Sequence, residues 1–306
     1  MQTTISSPAS FSGVGLHSGR MARLVVRPAA ADTGIRFRRI DVREDAQIVA
    51  ARWDAVRPAP LCTRIENDSG VGVSTVEHLM AALAGCGIHN ALIEIDGPEV
   101  PILDGSAAPF VRAILACGVR RLQAPVRAIR ILETVTLREG TALARLEPAE
   151  DFEISFRIEF ADAAIGAQEK RLNMANGAFV RELCDSRTFC LQRDIAAMRA
   201  RGLALGGSFE NAVVVDGARV LSPGGLRYAD EAVRHKMLDA LGDLSLAGAP
   251  LFGRYVGIRA GHALTNRLLR ALFERPGAFE EVECDAAAAR RLPGVGIARS
   301  DFPAVA

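Results

Sequence analysis

Residues 230–244 constrain the fold more than any other stretch, because their sequence predicts a helix with two distinct faces. His235, Asp239 and Asp243 follow one another at intervals of four residues, which stacks one imidazole and two carboxylates on one side of a helix. Such a column either binds a metal ion or forms a solvated face with one weak His–Asp pair. The opposite side carries an apolar stripe with helical spacing, formed by Val233, Met237, Ala240, Leu241 and Leu244.

The composition indicates a globular protein without a charged surface for nucleic acid. The chain has 306 residues, 49% of them hydrophobic, which is enough for two domains with a buried core. Its 37 basic and 36 acidic residues give a net charge of +1, so neither nucleic acid nor an anionic membrane is an expected partner. Six cysteines lie far apart without a C-x-x-C pair, and no signal peptide or membrane-spanning stretch is evident. We therefore expect a cytoplasmic protein with reduced thiols.

The first forty residues predict antiparallel strands with one solvent-exposed face. The glycine-rich stretch 13–19 superficially resembles a dinucleotide-binding loop, but its last glycine stands one position too late for G-x-G-x-x-G. We interpret these glycines as a tight turn that presents His17.

Residues 74–83 predict a second helix that carries chemically reactive side chains. Its apolar positions follow helical spacing, and they are Val76, Leu79, Met80 and Leu83. Ser74 is the predicted N-cap, which places Glu77 where its carboxylate completes a capping box. The alternative is a functional role for Glu77 together with the next residue, His78. In that case the side chains of Glu77 and His78 project from the first turn towards a neighbouring domain, as a base beside a metal ligand.

The order helix, strand, helix occurs twice in the chain and indicates a weak internal duplication. It appears in residues 74–117 and again in residues 230–273, and strands at 128–137, 142–147 and 152–160 follow a linker at 118–125. This order predicts an α+β fold of two similar domains, each a mostly antiparallel sheet with helices on one face. The expected parts are an N-terminal domain (1–122), a C-terminal domain (126–280) and a tail (281–306).

Three side chains from helices in different halves form a candidate metal site, namely His78, His235 and Asp239. Three protein ligands leave one position open, as in catalytic zinc sites, where the pKa of bound water falls from about 15.7 to about 7. Glu77 is a carboxylate placed for general-base work on such a water. His262 begins a third helix, and it either faces the same cleft or is an ordinary surface histidine.

Four motifs occur in this chain: STVEHL at 74–79, PILDGSAAPFV at 101–111, RHKMLDALGDL at 234–244 and GHAL at 261–264. In this order and at this spacing they resemble the UDP-3-O-acyl-N-acetylglucosamine deacetylase family of bacterial lipid A synthesis. The similarity runs from about residue 2 to about residue 279. It implies two similar α+β domains whose helices face each other across one active site, with one Zn²⁺ and the substrate in the cleft between them.

The resemblance implies a reaction and a role for each reactive side chain. Zn²⁺ is held by His78, His235 and Asp239, and Glu77 deprotonates the water that attacks the acetamide. The product acetate is released in the committed step of lipid A synthesis.

Three further roles follow from the same resemblance. The Thr188 hydroxyl stabilises the oxyanion together with the metal. His262 protonates the departing amine, and Asp243 orients His262 rather than binding the metal.

Substrate contacts are also implied by the resemblance. The cleft residues are Lys236, Phe189, Cys62 and His17, and a hydrophobic passage for the acyl chain near residues 190–220 includes Ile195, Ser208, Ala212 and Val214. The alternative for this apolar segment is a satellite core under a long loop. Gln192 stands where relatives have an apolar residue. Residues 160–165 lack the His and Pro common in the family, so contacts to the nucleotide diphosphate are expected to differ.

Two other functions are compatible with such a fold. A catalytically silent paralogue would bind a UDP-sugar or a regulatory partner, but all the reactive residues of the family are present in this chain. A hydrolase of another class would need its own nucleophile, and no G-x-S-x-G elbow occurs. We therefore expect a monomeric zinc amidase that acts on an acylated UDP-sugar.

Overall fold

A computed structural model describes residues 1–302 of the chain. The N-terminal half carries two helices, α1 (Glu77–Gly85) and α2 (Ala108–Cys117). Its strands are β1 (Thr3–Ile5), β2 (Ala9–Val14), β3 (Met21–Pro28), β4 (Ile35–Arg39), β5 (Ile48–Ala50), β6 (Val56–Arg57), β7 (Arg64–Glu66), β8 (Gly72–Ser74), β9 (Ala91–Ile95) and β10 (Val119–Arg121).

The C-terminal half carries the remaining elements. Its helices are α3 (Ala178–Glu182), α4 (Gln192–Ala200), α5 (Glu231–Ser245), α6 (His262–Phe273) and α7 (Ala286–Ala289). Its strands are β11 (Arg127–Ile131), β12 (Val135–Glu139), β13 (Ala142–Glu147), β14 (Phe152–Glu159), β15 (Ala167–Asn173), β16 (Phe189–Leu191), β17 (Val213–Asp216), β18 (Arg219–Val220), β19 (Leu251–Ile258) and β20 (Phe279–Glu283). Short 3-10 turns occupy Glu44–Ala46, Trp53–Ala55, Pro276–Ala278 and Arg299–Asp301.

The two main sheets repeat one strand order. The first sheet runs β2-β3-β9-β4-β5, and the second contains β12-β13-β19-β14-β15. In the first sheet every pair is antiparallel except β9 with β4, whereas in the second β19 pairs in parallel with both β14 and β11. β11 and β20 extend the second sheet beside β19. The α+β class with two similar halves is confirmed, and the central parallel pair is a feature that the strand patterns did not predict.

Helices α1 and α5 pack against each other, and α5 also packs on β14 and β15 of the second sheet. Twelve of the fifteen residues of α5 are buried, so both of its stripes are covered by protein. His235, Asp239 and Asp243 are each less than 5% exposed. The alternative of a solvated polar face is therefore wrong for this helix.

The predicted N-cap at Ser74 and the capping-box alternative for Glu77 are both wrong. Ser74 lies in β8, the helix begins at Glu77, and its N-cap is Val76, which makes no side-chain cap. Thr75, between β8 and α1, has a φ of 58°. A threonine adopts this left-handed conformation only when its surroundings hold it there. The Glu77 carboxylate is therefore free to make a tertiary contact.

Other sequence expectations differ from the structure in detail. The predicted linker 118–125 contains β10, which pairs with β1. The single strand predicted at 128–137 is two strands, β11 and β12, and the chain beyond residue 280 continues in β20. Within residues 1–302, every helix is too short or too polar to span a lipid bilayer.

Candidate active site

The metal-binding candidates meet where α1 crosses α5. One ligand atom each from His78, His235 and Asp239 lies within 4.8 Å of the other two, and all three residues are buried. Asp239 Oδ1 is 3.5 Å from His78 Nε2 and 3.3 Å from His235 Nε2. The two imidazole rings stand edge to face, 89° apart. Four-residue spacing along α5 places His235 and Asp239 on one face, and the first turn of α1 supplies the third group.

The surroundings of His235 keep its imidazole neutral and correctly oriented. Its Nδ1–H donates to the Ser186 carbonyl at 3.0 Å, which leaves the Nε2 lone pair directed at the group. Burial lowers the pKa of His235 to about 3, so the ring stays uncharged at neutral pH. A neutral imidazole with a fixed tautomer is the form that binds a metal ion.

Asp239 supplies the negative charge of the group. Burial alone would raise its pKa, but the neighbouring basic groups hold the pKa well below its usual range. Lys236 Nζ donates to Asp239 Oδ2 at 2.6 Å, whereas Oδ1 has no hydrogen-bond partner among the described residues. A buried carboxylate oxygen without a donor is costly unless a cation accompanies it. The three residues therefore fit a divalent metal ion.

Glu77 lies beside this group at the first residue of α1. Its Oε2 accepts the backbone N–H of Thr63 at 3.0 Å, and its Oε1 faces His262 Nε2 at 3.8 Å. Burial raises the pKa of Glu77, and attraction to the histidines opposes that shift only in part. A carboxylate with a raised pKa accepts a proton more readily, as a general base requires.

His262, the first residue of α6, faces Glu77 and Asp239. Its Nδ1–H donates to Asp243 Oδ2 at 2.9 Å, and its Nε2 lies 3.8 Å from Asp239 Oδ2. Burial would lower the pKa of His262, but the charges of Asp243, Glu77 and Asp239 outweigh it and raise the pKa to about 9. The ring is thus protonated at neutral pH. The alternative of an ordinary surface histidine is wrong.

The metal-binding candidates, Glu77 and His262 line a cavity of about 660 Å³. Most of the predicted catalytic and substrate-binding side chains line it, and they are Glu77, His78, His235, Asp239, His262, Lys236, His17, Thr188, Phe189, Ile195, Ser208, Ala212 and Val214. Asp243 is buried behind His262, in hydrogen-bond contact with its ring. Cys62 is buried too and does not line this cavity, and burial raises the pKa of its thiol to about 12.

The apolar segment of residues 190–220 contributes some side chains to the hydrophobic core and others to the cavity wall. Val213 and Val215 of β17 belong to the core, whereas Val214 between them faces the cavity. This follows from the alternation of side chains along a strand. Ile195 and Met198 of α4 complete an apolar wall.

Asp162 and Arg193 fix α4 in place. Arg193 reaches the two carboxylate oxygens of Asp162 at 2.9 and 2.7 Å, and Asp162 Oδ1 also accepts the N–H of Gly217 at 3.1 Å. The hydrogen bond from Arg193 lowers the pKa of Asp162. Asp162 thus forms an ion pair that anchors one wall of the cavity.

Glu99 has a role that the sequence did not indicate. This buried carboxylate accepts the backbone N–H groups of His17 and Ser18, each at 2.8 Å, and the Thr75 hydroxyl at 2.9 Å. A Cβ at Gly15 would lie 2.3 Å from Glu99 Oε2, which explains that glycine. Glu99 therefore holds the turn that carries His17 against Thr75, two residues before α1. No local spacing marks it, because its partners are distant in sequence.

Comparisons with known proteins show the family of this chain. Residues 2–274 match the family model described as LpxC: UDP-3-O-acyl N-acetylglycosamine deacetylase. The chain is similar to the UDP-3-O-acyl-N-acetylglucosamine deacetylase of Phenylobacterium zucineum, with 53% identity over 278 residues that cover 91% of this chain and 95% of that protein. Proteins of the same name from Shewanella oneidensis and Shewanella frigidimarina are 44% and 45% identical over 299 and 286 residues, which cover 96% and 93% of this chain and 97% and 93% of theirs.

Proposed function

Because this chain belongs to the UDP-3-O-acyl N-acetylglycosamine deacetylase family, we propose that it hydrolyses the N-acetyl amide of UDP-3-O-acyl-N-acetylglucosamine. The products are acetate and the free amine. One observation carries the proposal: His78, His235 and Asp239 meet within 4.8 Å, in a cavity that Glu77 and His262 also line. The proposed metal is Zn²⁺, which suits two imidazoles and one carboxylate with an open position.

The metal would supply Lewis-acid polarisation of the acetamide carbonyl and a lowered pKa for water. Glu77 acts as the general base. Its Oε2 is held by the Thr63 N–H, so its Oε1 is the oxygen that takes the proton of the attacking water. The Thr188 hydroxyl, on the cavity wall, donates to the carbonyl oxygen as negative charge develops there.

His262 acts as the general acid on the departing nitrogen. Its Nδ1–H is engaged by Asp243, so Nε2 is the atom that donates a proton towards the cavity. A pKa raised to about 9 keeps that proton in place at neutral pH until the C–N bond breaks. The amine leaves with the proton of His262, and acetate leaves with the oxygen of water.

The acyl chain is proposed to lie along the apolar wall formed by Ile195, Ala212 and Val214. Lys236, His17 and Phe189 are proposed to contact the polar part of the substrate, and Cys62 to support the cleft edge. We also propose a monomer in the cytoplasm, where its six free cysteines stay reduced. The proposed domains end at residues 122 and 280.

An acetate-release assay tests this function. Wild-type protein is incubated with UDP-N-acetylglucosamine and with a series that carries 3-O-acyl chains of increasing length, with and without a chelator and added Zn²⁺. We expect release from the acylated substrates only, and loss of release with the chelator. Binding of the acylated UDP-sugar without any acetate release at high protein concentration would instead favour the silent paralogue.

A further inference from the structure

Thr63 occupies the loop immediately before β7, and its polar groups reach three different helices of the site. It is 1% exposed. Its backbone N–H donates to Glu77 Oε2 at 3.0 Å, and its carbonyl accepts the N–H of Val76 at 3.3 Å. The main chain of this one residue therefore holds both the first turn of α1 and the carboxylate of the proposed base.

The side chain of Thr63 reaches the other half of the chain. Its hydroxyl donates to Asp243 Oδ1 at 2.5 Å and accepts the side-chain N–H of Asn266 at 3.0 Å. Asp243 belongs to α5, whereas Asn266 lies one turn after His262 on α6. Because an amide N–H cannot accept a proton, the bond from Asn266 directs the Thr63 proton towards Asp243.

Asp243 thus receives a donor on each carboxylate oxygen, the Thr63 hydroxyl on Oδ1 and His262 Nδ1–H on Oδ2. Two donors fix the rotation of the carboxylate, and the carboxylate fixes the ring. His262 Nε2 then faces Glu77 Oε1 and Asp239 Oδ2, at 3.8 Å from each. Removal of the Thr63 hydroxyl leaves Asp243 Oδ1 without this donor. The carboxylate of Asp243 is then free to turn, and it no longer fixes the orientation of the His262 ring.

We propose that Thr63 is the positioning residue that couples base and acid across the two halves of the chain. Its backbone aims Glu77 Oε1, and its hydroxyl aims His262 Nε2 through Asp243, so that one residue sets the distance between the two. Thr63 itself neither belongs to the metal-binding group nor lines the cavity. The inference rests on the proposed deacetylase function.

The test compares two substitutions at this position. Thr63→Val has nearly the same shape and keeps both backbone bonds, but it removes the hydroxyl. Thr63→Ser keeps the hydroxyl and removes a methyl group. Supporting residues around a catalytic site typically contribute about 10–100-fold to activity. We expect Thr63→Val to lower kcat for acetate release by a factor in that range, with KM and bound zinc unchanged, and Thr63→Ser to restore most of kcat.

A control separates positioning from folding. Thr4 is also fully buried, and its hydroxyl donates to the Asn90 carbonyl at 2.7 Å, far from the site. Thr4→Val should lower Tm as Thr63→Val does, with kcat unchanged. If the wild type is active and Thr63→Val is equally active, the inference about Thr63 is overturned but the proposed function stands. The same holds if Thr63→Val loses kcat only in proportion to the fraction of unfolded protein. A wild type that releases no acetate would overturn the proposed function, and this inference with it.

Discussion

Gly242 of α5 lies against the backbone carbonyl of Glu77, where a Cβ would come within 2.1 Å of the oxygen. The missing side chain lets α1 approach α5 closely enough for His78 to meet His235 and Asp239. Gly242→Ala should therefore move α1 away from α5 and weaken metal binding by His78, His235 and Asp239.

Alanine favours helix over glycine by up to about 1 kcal/mol, but overpacking of this kind costs about 1–3 kcal/mol. We expect a lower free energy of unfolding in urea, weaker zinc binding and a kcat reduced at least tenfold. Gly277→Ala is the control, because nothing lies within 4 Å of its Cβ position. A Gly242→Ala variant with wild-type zinc affinity would show that the close approach is not required.

The pH dependence of turnover should report His262. Its pKa is raised to about 9, after burial is outweighed by Asp243, Glu77 and Asp239. A general acid works only while protonated, so activity should fall as pH rises through this pKa. Asp243→Asn removes the carboxylate that contributes most to the rise, and the alkaline limb of kcat against pH should shift to lower pH. An unshifted limb would assign that limb to another group.

The passage hypothesis makes a prediction about chain length. Ile195→Trp on α4 should fill part of the apolar wall and exclude the distal carbons of the acyl chain. Each methylene contributes about 0.8 kcal/mol when buried, so loss of two methylenes costs about tenfold in kcat/KM. Long-chain substrates should lose activity while short-chain substrates keep it. Ala197→Trp, at an exposed position outside the cavity, should leave this preference as in the wild type.

His89 should contribute to stability in a pH-dependent way. Its Nδ1 accepts the Thr3 N–H at 3.2 Å, which requires an unprotonated nitrogen, and burial lowers its pKa from the ordinary 6.5 to about 4. The unfolded chain binds the proton more tightly, so this stability is present above pH 6.5 and is lost as pH falls through 4. His89→Gln should flatten the fall in unfolding free energy between pH 7 and 4 by up to about 3 kcal/mol. Urea titrations across that range measure it, and identical slopes for both proteins would contradict it.

Much of the site was predictable because its information is local. His235 and Asp239 share a face through helical spacing, and the residue order around Glu77 and His78 carried the family resemblance. The capping box is absent although the S-x-x-E spacing is present. The Glu77 carboxylate instead accepts the backbone N–H of Thr63, fourteen residues earlier in the chain. A capping motif describes only local donors, and a tertiary donor outcompeted them.

The residues that the sequence did not reveal act over long separations. Thr63 reaches Asp243 across 180 residues, and Glu99 reaches His17 across 82. A single buried threonine or glutamate has no period and no turn signature, so only the fold identifies its partners. The parallel strand pairs were missed for the same reason, because alternation along a strand does not specify its neighbour.

Metal titration tests the central claim most directly. The wild-type protein and a His235→Ala variant are stripped with a chelator, and Zn²⁺ is added in steps while acetate release and bound zinc are measured on the same samples. We predict no release without metal, a rise that ends at about one zinc per chain, and neither tight binding nor release for His235→Ala, since three ligands bind one ion. Full acetate release from the stripped wild type would contradict the account.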